Sequence, residues 1–192
     1  MITTICIVRH GQTDRNKAKV IQGRGDFELN QEGRNQAKET ARYFLRNNEY
    51  FDIICASPLK RAKETASIIK CELGYKEEII IIPEVIEREF GKADGCDIEE
   101  NIYKKIINDD VDGMEKSYEI QNRMINAIKK IARDYEGKKI LIVSHSHAIK
   151  GLLTGIDKTR SFLDTLYNCA INYFIVDNDE IKIDRVNITY ID

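Results

Sequence analysis

Several short apolar runs of this chain end in side chains able to do chemistry. Ile5 to Val8 leads into Arg9-His10-Gly11, and Asp52 to Ala56 leads into Ser57-Pro58, with Arg61 one helical turn further on. Ile140 to Val143 leads into Ser144-His145-Ser146-His147, and Ile79 to Ile82 is stopped by Pro83 shortly before Glu87. All three histidines of the chain fall in this set. Arginine is permanently charged, and its planar fork of donors grips phosphate oxygens. Histidine, with an ordinary pKa near ~6.5, can offer a neutral nitrogen as nucleophile beside a cationic neighbour. Phosphoryl transfer asks a protein mainly for position and for charge around three equatorial oxygens. Two arginines and a second histidine supply that charge without Mg²⁺. A carboxylic acid then protonates the leaving oxygen, worth on the order of 10²–10⁴ in rate.

Such residues work together only if the fold brings them to one rim. The four apolar runs are short and rich in Ile and Val, as expected of strands covered on both faces. Between them lie helical stripes. One starts at Asn30, a capping residue, and presents Ala37, Ala41, Phe44 and Leu45; another carries Leu59, Ala62, Ala66, Ile69 and Leu73 and ends at Gly74. A third shows Ile120, Met124, Ala127, Ile128 and Ile131 and ends at Gly137. The tail reads as two strands, Ile171 to Val176 and Ile181 to Val186, turning through Asn178-Asp179. The expectation is a three-layer α/β fold: a mostly parallel sheet flanked by helices, closed by a C-terminal strand hairpin. Residues 88–116 break the rhythm and read as a small inserted cap with a helical patch around Ile102 to Ile107. In open α/β sheets ligands bind outside the carboxyl ends of the strands, where the reactive residues stand.

The chain has 192 residues, enough for one domain (1–192) with its own core. Thirty basic residues stand against 32 acidic ones, a net charge of −2, so no bulk positive field recruits nucleic acid. No apolar run approaches the ~20 residues of a membrane span. Five irregularly spaced cysteines without a CxxC pair read as reduced thiols. A cytoplasmic location is the expectation, with no membrane or nucleic-acid partner.

The stretch Val8-Arg-His-Gly-Gln-Thr-Asp-Arg-Asn16 resembles the opening motif of the histidine phosphatase superfamily, the phosphoglycerate mutase-like proteins. Further blocks resemble that family in its order. They are Gln22-Gly23 with Asp26, Leu29, Gly33 and Gln36-Ala37; Ala56 to Ala66; Ile86-Glu-Arg-Glu-Phe-Gly91; and Val143 to His147. The resemblance implies that His10 becomes phosphorylated. It implies that Arg9, Arg61 and His145 bind the phosphoryl group, with Asn16 assisting and Gln22 and the Gly23 backbone at the pocket wall. Glu87 would be the proton donor and then the base, in preference to the nearby Glu84 and Glu89. It further implies a metal-independent enzyme without cofactor, acting on a small phosphomonoester and releasing inorganic phosphate. An α-ribazole phosphatase-like substrate fits the chain length. Two residues depart from the pattern: Ser146 stands where glycine is common, and Asn30 replaces the usual Thr or Ser.

Three other readings stand beside hydrolysis. A phosphoglycerate mutase would return the phosphoryl group to another oxygen and needs a larger, basic cover. Residues 89–115 instead hold three lysines against nine acidic residues. A phosphate-ligand binding module without turnover would not need the complete set of Arg9, His10, Arg61, Glu87 and His145. His145 and His147 could be two metal ligands, although no third ligand has suitable spacing.

Overall fold

The structure is a computed structural model that describes residues 1–190; the last two residues of the expected 1–192 unit lie outside the described part. Its strands are β1 (Thr3–Arg9), β2 (Ile53–Ala56), β3 (Ile80–Ile81), β4 (Lys139–Ser144), β5 (Ile171–Asp177) and β6 (Glu180–Ile188). The helices are α1 (Asp14–Lys17), α2 (Gln31–Arg46), α3 (Lys60–Glu72), α4 (Glu100–Ile107), α5 (Ser117–Asp134) and α6 (Ser146–Ile156). The six strands form one sheet in the order β3-β2-β4-β1-β5-β6. β1, β2, β3 and β4 pair in parallel, while β5 joins β1 and β6 joins β5 antiparallel. The mostly parallel sheet with a terminal hairpin is the expected architecture.

Alternate residues of the strands feed two separate cores, the period-two consequence of a pleated strand. Ile5, Ile7, Ile140 and Ile142 pack with Ile120, Met124 and Ile128 of α5 and Ala148, Ile149 and Leu152 of α6. Cys6, Val8, Leu141 and Val143 pack on the other face with Ala41 and Phe44 of α2 and Ala62, Ala66 and Ile69 of α3. Helix, sheet, helix is therefore the layering. Asn30 caps α2 as expected, its side chain accepting from the Gly33 N–H at 2.9 Å.

Four details depart from the sequence reading. Leu45, expected on the apolar stripe of α2, is half exposed, because the line Ala37-Ala41-Phe44 already fills the contact. The third strand is only two residues long, since Ile82, whose N–H still bonds the Ala56 carbonyl of β2, caps the 3₁₀ turn that Pro83 opens over Pro83–Val85. α1 and α6 were not anticipated. α6 is buried on nearly every side, so its sequence lacks the polar face that marks a surface helix.

Residues 88–116 hold a 3₁₀ turn at Gly91–Ala93 and the helix α4. Phe90, Ala93, Ile106, Val111 and Met114 form a third small core with Ile21, which lies between α1 and α2. This segment therefore leans on the connection from β1 to α2, which begins at His10.

Candidate active site

The parallel register sets the site. Arg9 of β1 stands beside Ser144 of β4, and Val143 of β4 beside Ala56 of β2. Hydrogen bonding continues one residue past the strands: His10 N–H donates to the Ser144 carbonyl at 2.9 Å and Ser57 N–H to Val143 at 3.0 Å. His10, Ser57 and His145 are thus held side by side at the carboxyl ends of β1, β2 and β4. The His10 and His145 ring centroids are 5.2 Å apart.

His10 is buried, and its Nδ1 lies 2.7 Å from the Gly11 carbonyl oxygen. A carbonyl only accepts, so Nδ1 carries the proton and Nε2 presents its lone pair. Arg61 Nε donates to that Nε2 at 3.2 Å. The rest of the Arg61 guanidinium is fixed by the carbonyls of Gly25 and Gly23, each at 2.7 Å. Thr65, one turn along α3, accepts from Gly11 N–H and donates to the Arg61 carbonyl, tying this helix to the nucleophile's loop.

His145 is also buried, with Nε2 at 2.7 Å from Ser57 Oγ and Nδ1 without a partner among the described residues. Burial first, then Arg61 and Arg9, push the His10 pKa well below the usual histidine value. Burial leads again for His145, followed by Arg61, His10 and Arg9. Both rings are therefore neutral at pH 7 before any anion arrives. Arg9 Nη1 donates to the Leu166 carbonyl at 2.6 Å, and its Nε has no partner among the described residues.

Glu87 follows the edge strand β3 and is buried against the first turn of α6. Its carboxylate accepts from the backbone N–H groups of Arg88 (2.8 Å), Ala148 (3.0 Å) and His147 (3.2 Å). A carboxylate at a helix N-terminus satisfies orphan donors and meets the positive end of the helix dipole. Asn16 closes a capping box on α1: its N–H donates to Thr13 Oγ1 and its Oδ1 accepts from Thr13 N–H. The same Oδ1 accepts from Asn168.

A cavity of about 310 Å³ opens on this rim, lined by Arg9, His10, Asn16, Gln22 and Glu87 among others. Arg61, His145 and Gly23 are not in its lining, and the first two reach it through their contacts with His10. Gly23 serves differently from expectation. Its N–H donates to Asp94 at 3.1 Å and its carbonyl holds Arg61, so its backbone positions the guanidinium and offers no free donor. Gln22 lines the cavity but is engaged with Thr13.

His145 and His147 face different surroundings. His147 is packed against the rings of Phe90, Phe162 and Tyr103, away from the Ser57 contact of His145. Among the described residues no group of three His, Cys, Asp or Glu side chains could hold a metal ion. Lys150, Tyr103 and the segment Leu163 to Leu166 also line the cavity, and the sequence reading did not single them out. A lysine inside the apolar run Ala148-Ile-Lys-Gly-Leu-Leu153 was the available signal.

Known proteins resemble this chain in sequence and in fold. An uncharacterized phosphatase, PhoE, of Bacillus subtilis (strain 168) is 40% identical over 155 residues, covering 81% of this chain and 78% of that one. A metal-independent phosphoserine phosphatase of Arabidopsis thaliana is 29% identical over 182 residues, covering 89% and 75%. The crystal structure of the Entamoeba histolytica phosphoserine phosphatase in complex with 3-phosphoglyceric acid superposes with a TM-score of 0.82 at 29% identity, covering 97% and 98%. The profile of the histidine phosphatase superfamily (branch 1) matches residues 5–189, and the chain belongs to that family.

Proposed function

We propose that this phosphatase hydrolyses small phosphomonoesters without metal, in two steps, through a phosphohistidine at His10. The observation that carries this reading is the state of His10, a buried imidazole whose Nδ1 is tied to Gly11 and whose Nε2 presents its lone pair towards Arg61 in a cavity also lined by Arg9. Glu87 enters the first step as the carboxylic acid; Nε2 bonds to phosphorus while the ester P–O bond breaks, and Glu87 gives its proton to the departing oxygen. In the second, water attacks phosphorus in line, Glu87 takes the water proton, and the N–P bond breaks to release phosphate. Arg9, Arg61 and His145 stabilise the phosphoryl oxygens in both steps, His145 becoming cationic only once that anion is bound. Arg61 exchanges its His10 contact for a phosphoryl oxygen. Asn16 and Gln22 supply the remaining polar wall.

Residues 88–116 act as the cap of a single domain in this reading. Their excess of acidic residues disfavours the mutase alternative, which must retain a polyanionic intermediate. The described residues contain no helix long and apolar enough to cross a membrane, and the cysteines are free. We place the protein in the cytoplasm.

A panel of phosphoserine, 3-phosphoglycerate, α-ribazole phosphate, sugar phosphates and an aryl phosphate tests the proposal. Phosphate release should far exceed isomerisation of phosphoglycerate, and a chelator should change nothing. Isomerisation faster by orders of magnitude, or no release between about pH 5 and pH 8, would overturn it.

A further inference from the structure

Lys150 lies in the second turn of α6, in a helix that is otherwise almost wholly apolar, and is itself only 7% exposed. Its ammonium has three hydrogens and one acceptor, the Phe162 carbonyl oxygen at 2.9 Å. It forms no ion pair among the described residues. The Tyr103 hydroxyl donates to the same carbonyl at 3.1 Å, so both lone pairs of that oxygen are used. Lys150 lines the same cavity as His10 and Glu87, whose lining also includes the apolar side chains of Val20, Ile21, Phe90 and Leu166. A cation this buried without a counter-ion destabilises the fold and is kept where a ligand supplies the missing charge.

Building on the phosphatase reading, we propose that Lys150 binds a carboxylate on the substrate, so that the preferred phosphomonoesters are phosphorylated acids. Arg9, the arginine of this lining, is assigned to the phosphoryl group, and the single ammonium of Lys150, a point charge without a planar fork, suits a carboxylate better than a second phosphate. Burial, reinforced by Arg9 and opposed by Glu87 and Asp164, brings the Lys150 pKa down to about 8. The neighbouring His147 ring is neutral, its pKa pushed down by burial first and then by Lys150. The other charged groups facing the ammonium are thus Arg9, Glu87 and Asp164. Lys150 is charged below its folded pKa, so selectivity for the acid is present below about pH 8 and fades above it.

The test compares 3-phosphoglycerate with glycerol 3-phosphate, which differ only in the carboxylate, in the wild type, Lys150→Met and Lys150→Arg. The readout is the ratio of kcat/KM for the acid to that for the alcohol. The wild-type ratio should be about tenfold or more and should collapse in Lys150→Met, mainly through KM. Lys150→Arg should restore part of it. Wild-type selectivity should fall as pH rises past about 8, where the phosphate charge of both substrates is constant, while the Met variant stays flat. The Met variant should also melt at or above the wild-type temperature, because an unpaired buried charge has gone. A wild-type ratio near one, an unchanged ratio in Lys150→Met, or a lowered Tm with equal loss on both substrates would overturn the assignment. If the wild type hydrolyses neither compound, the hydrolytic reading fails separately. Calorimetric binding of the same pair then reads the Lys150 preference, and equal affinities would overturn it.

Discussion

At the scale of single residues, the site depends on side chains whose partners leave them one task. His10 is fixed by Gly11 on one nitrogen, Arg61 is fixed by Gly23 and Gly25, and Glu87 is fixed by three backbone N–H groups. Each is held before substrate arrives, which removes the ordering cost from the reaction. Glu87→Gln keeps the shape of the carboxylate but cannot deliver its proton. Hydrolysis of an alkyl phosphate should slow by about 10²–10⁴, while a nitrophenyl ester, whose leaving group needs no proton, should slow much less in the phosphorylation step. Single-turnover rates for the two esters check this, and equal losses would move the acid to another residue. The sequence made most of these residues visible because a strand end carrying Arg-His, or a strand end followed by an arginine helix, is an unusual place for such side chains. Lys150 was hidden for the opposite reason. A lysine in a helix ordinarily faces water, and only the burial of α6 on both sides turns this one into the cavity.

At the scale of elements, helices with one polar face were readable and the one without was not. The stripes of α2, α3 and α5 alternate with charged residues at helical spacing, whereas α6 is buried along most of its length and lacks such a charged face. The turn through Asn178-Asp179 between β5 and β6 was legible, but the close approach of the loop after β1 to the start of α2 was not. Gly11 and Gly33 meet backbone to backbone: a Cβ on Gly33 would come within 2.1 Å of the Gln12 carbonyl oxygen, and one on Gly11 within 2.4 Å of the Gly33 carbonyl oxygen. Neither neighbour is a side chain that can swing away. Gly33→Ala should therefore destabilise the fold by about 1–3 kcal/mol and loosen the segment that follows His10. Urea unfolding with a parallel measurement of kcat checks both effects. Wild-type stability and turnover would show that the packing of α2 against this loop does not position the nucleophile.

At the scale of the whole molecule, the strand order explains why distant sequence blocks meet. β3, β2, β4 and β1 are adjacent and parallel, so residues 10, 57, 87 and 145 reach one rim although they span much of the chain. Helices cover both faces, leaving the strand ends as the place where buried chemistry can meet a ligand. The near-neutral total charge is compatible with this, since the anion is gathered by a few buried cations and no long-range field is required. The central claim is that one of the buried imidazoles carries the phosphoryl group covalently during turnover. Its most direct test is rapid quenching of the Glu87→Gln protein during reaction with a labelled phosphomonoester, under alkaline conditions that preserve phosphohistidine, followed by mapping of the modified residue. The account predicts a stoichiometric, acid-labile phosphoryl group on His10 that is absent from His10→Ala. Sustained phosphate release with no label on His10 would contradict it.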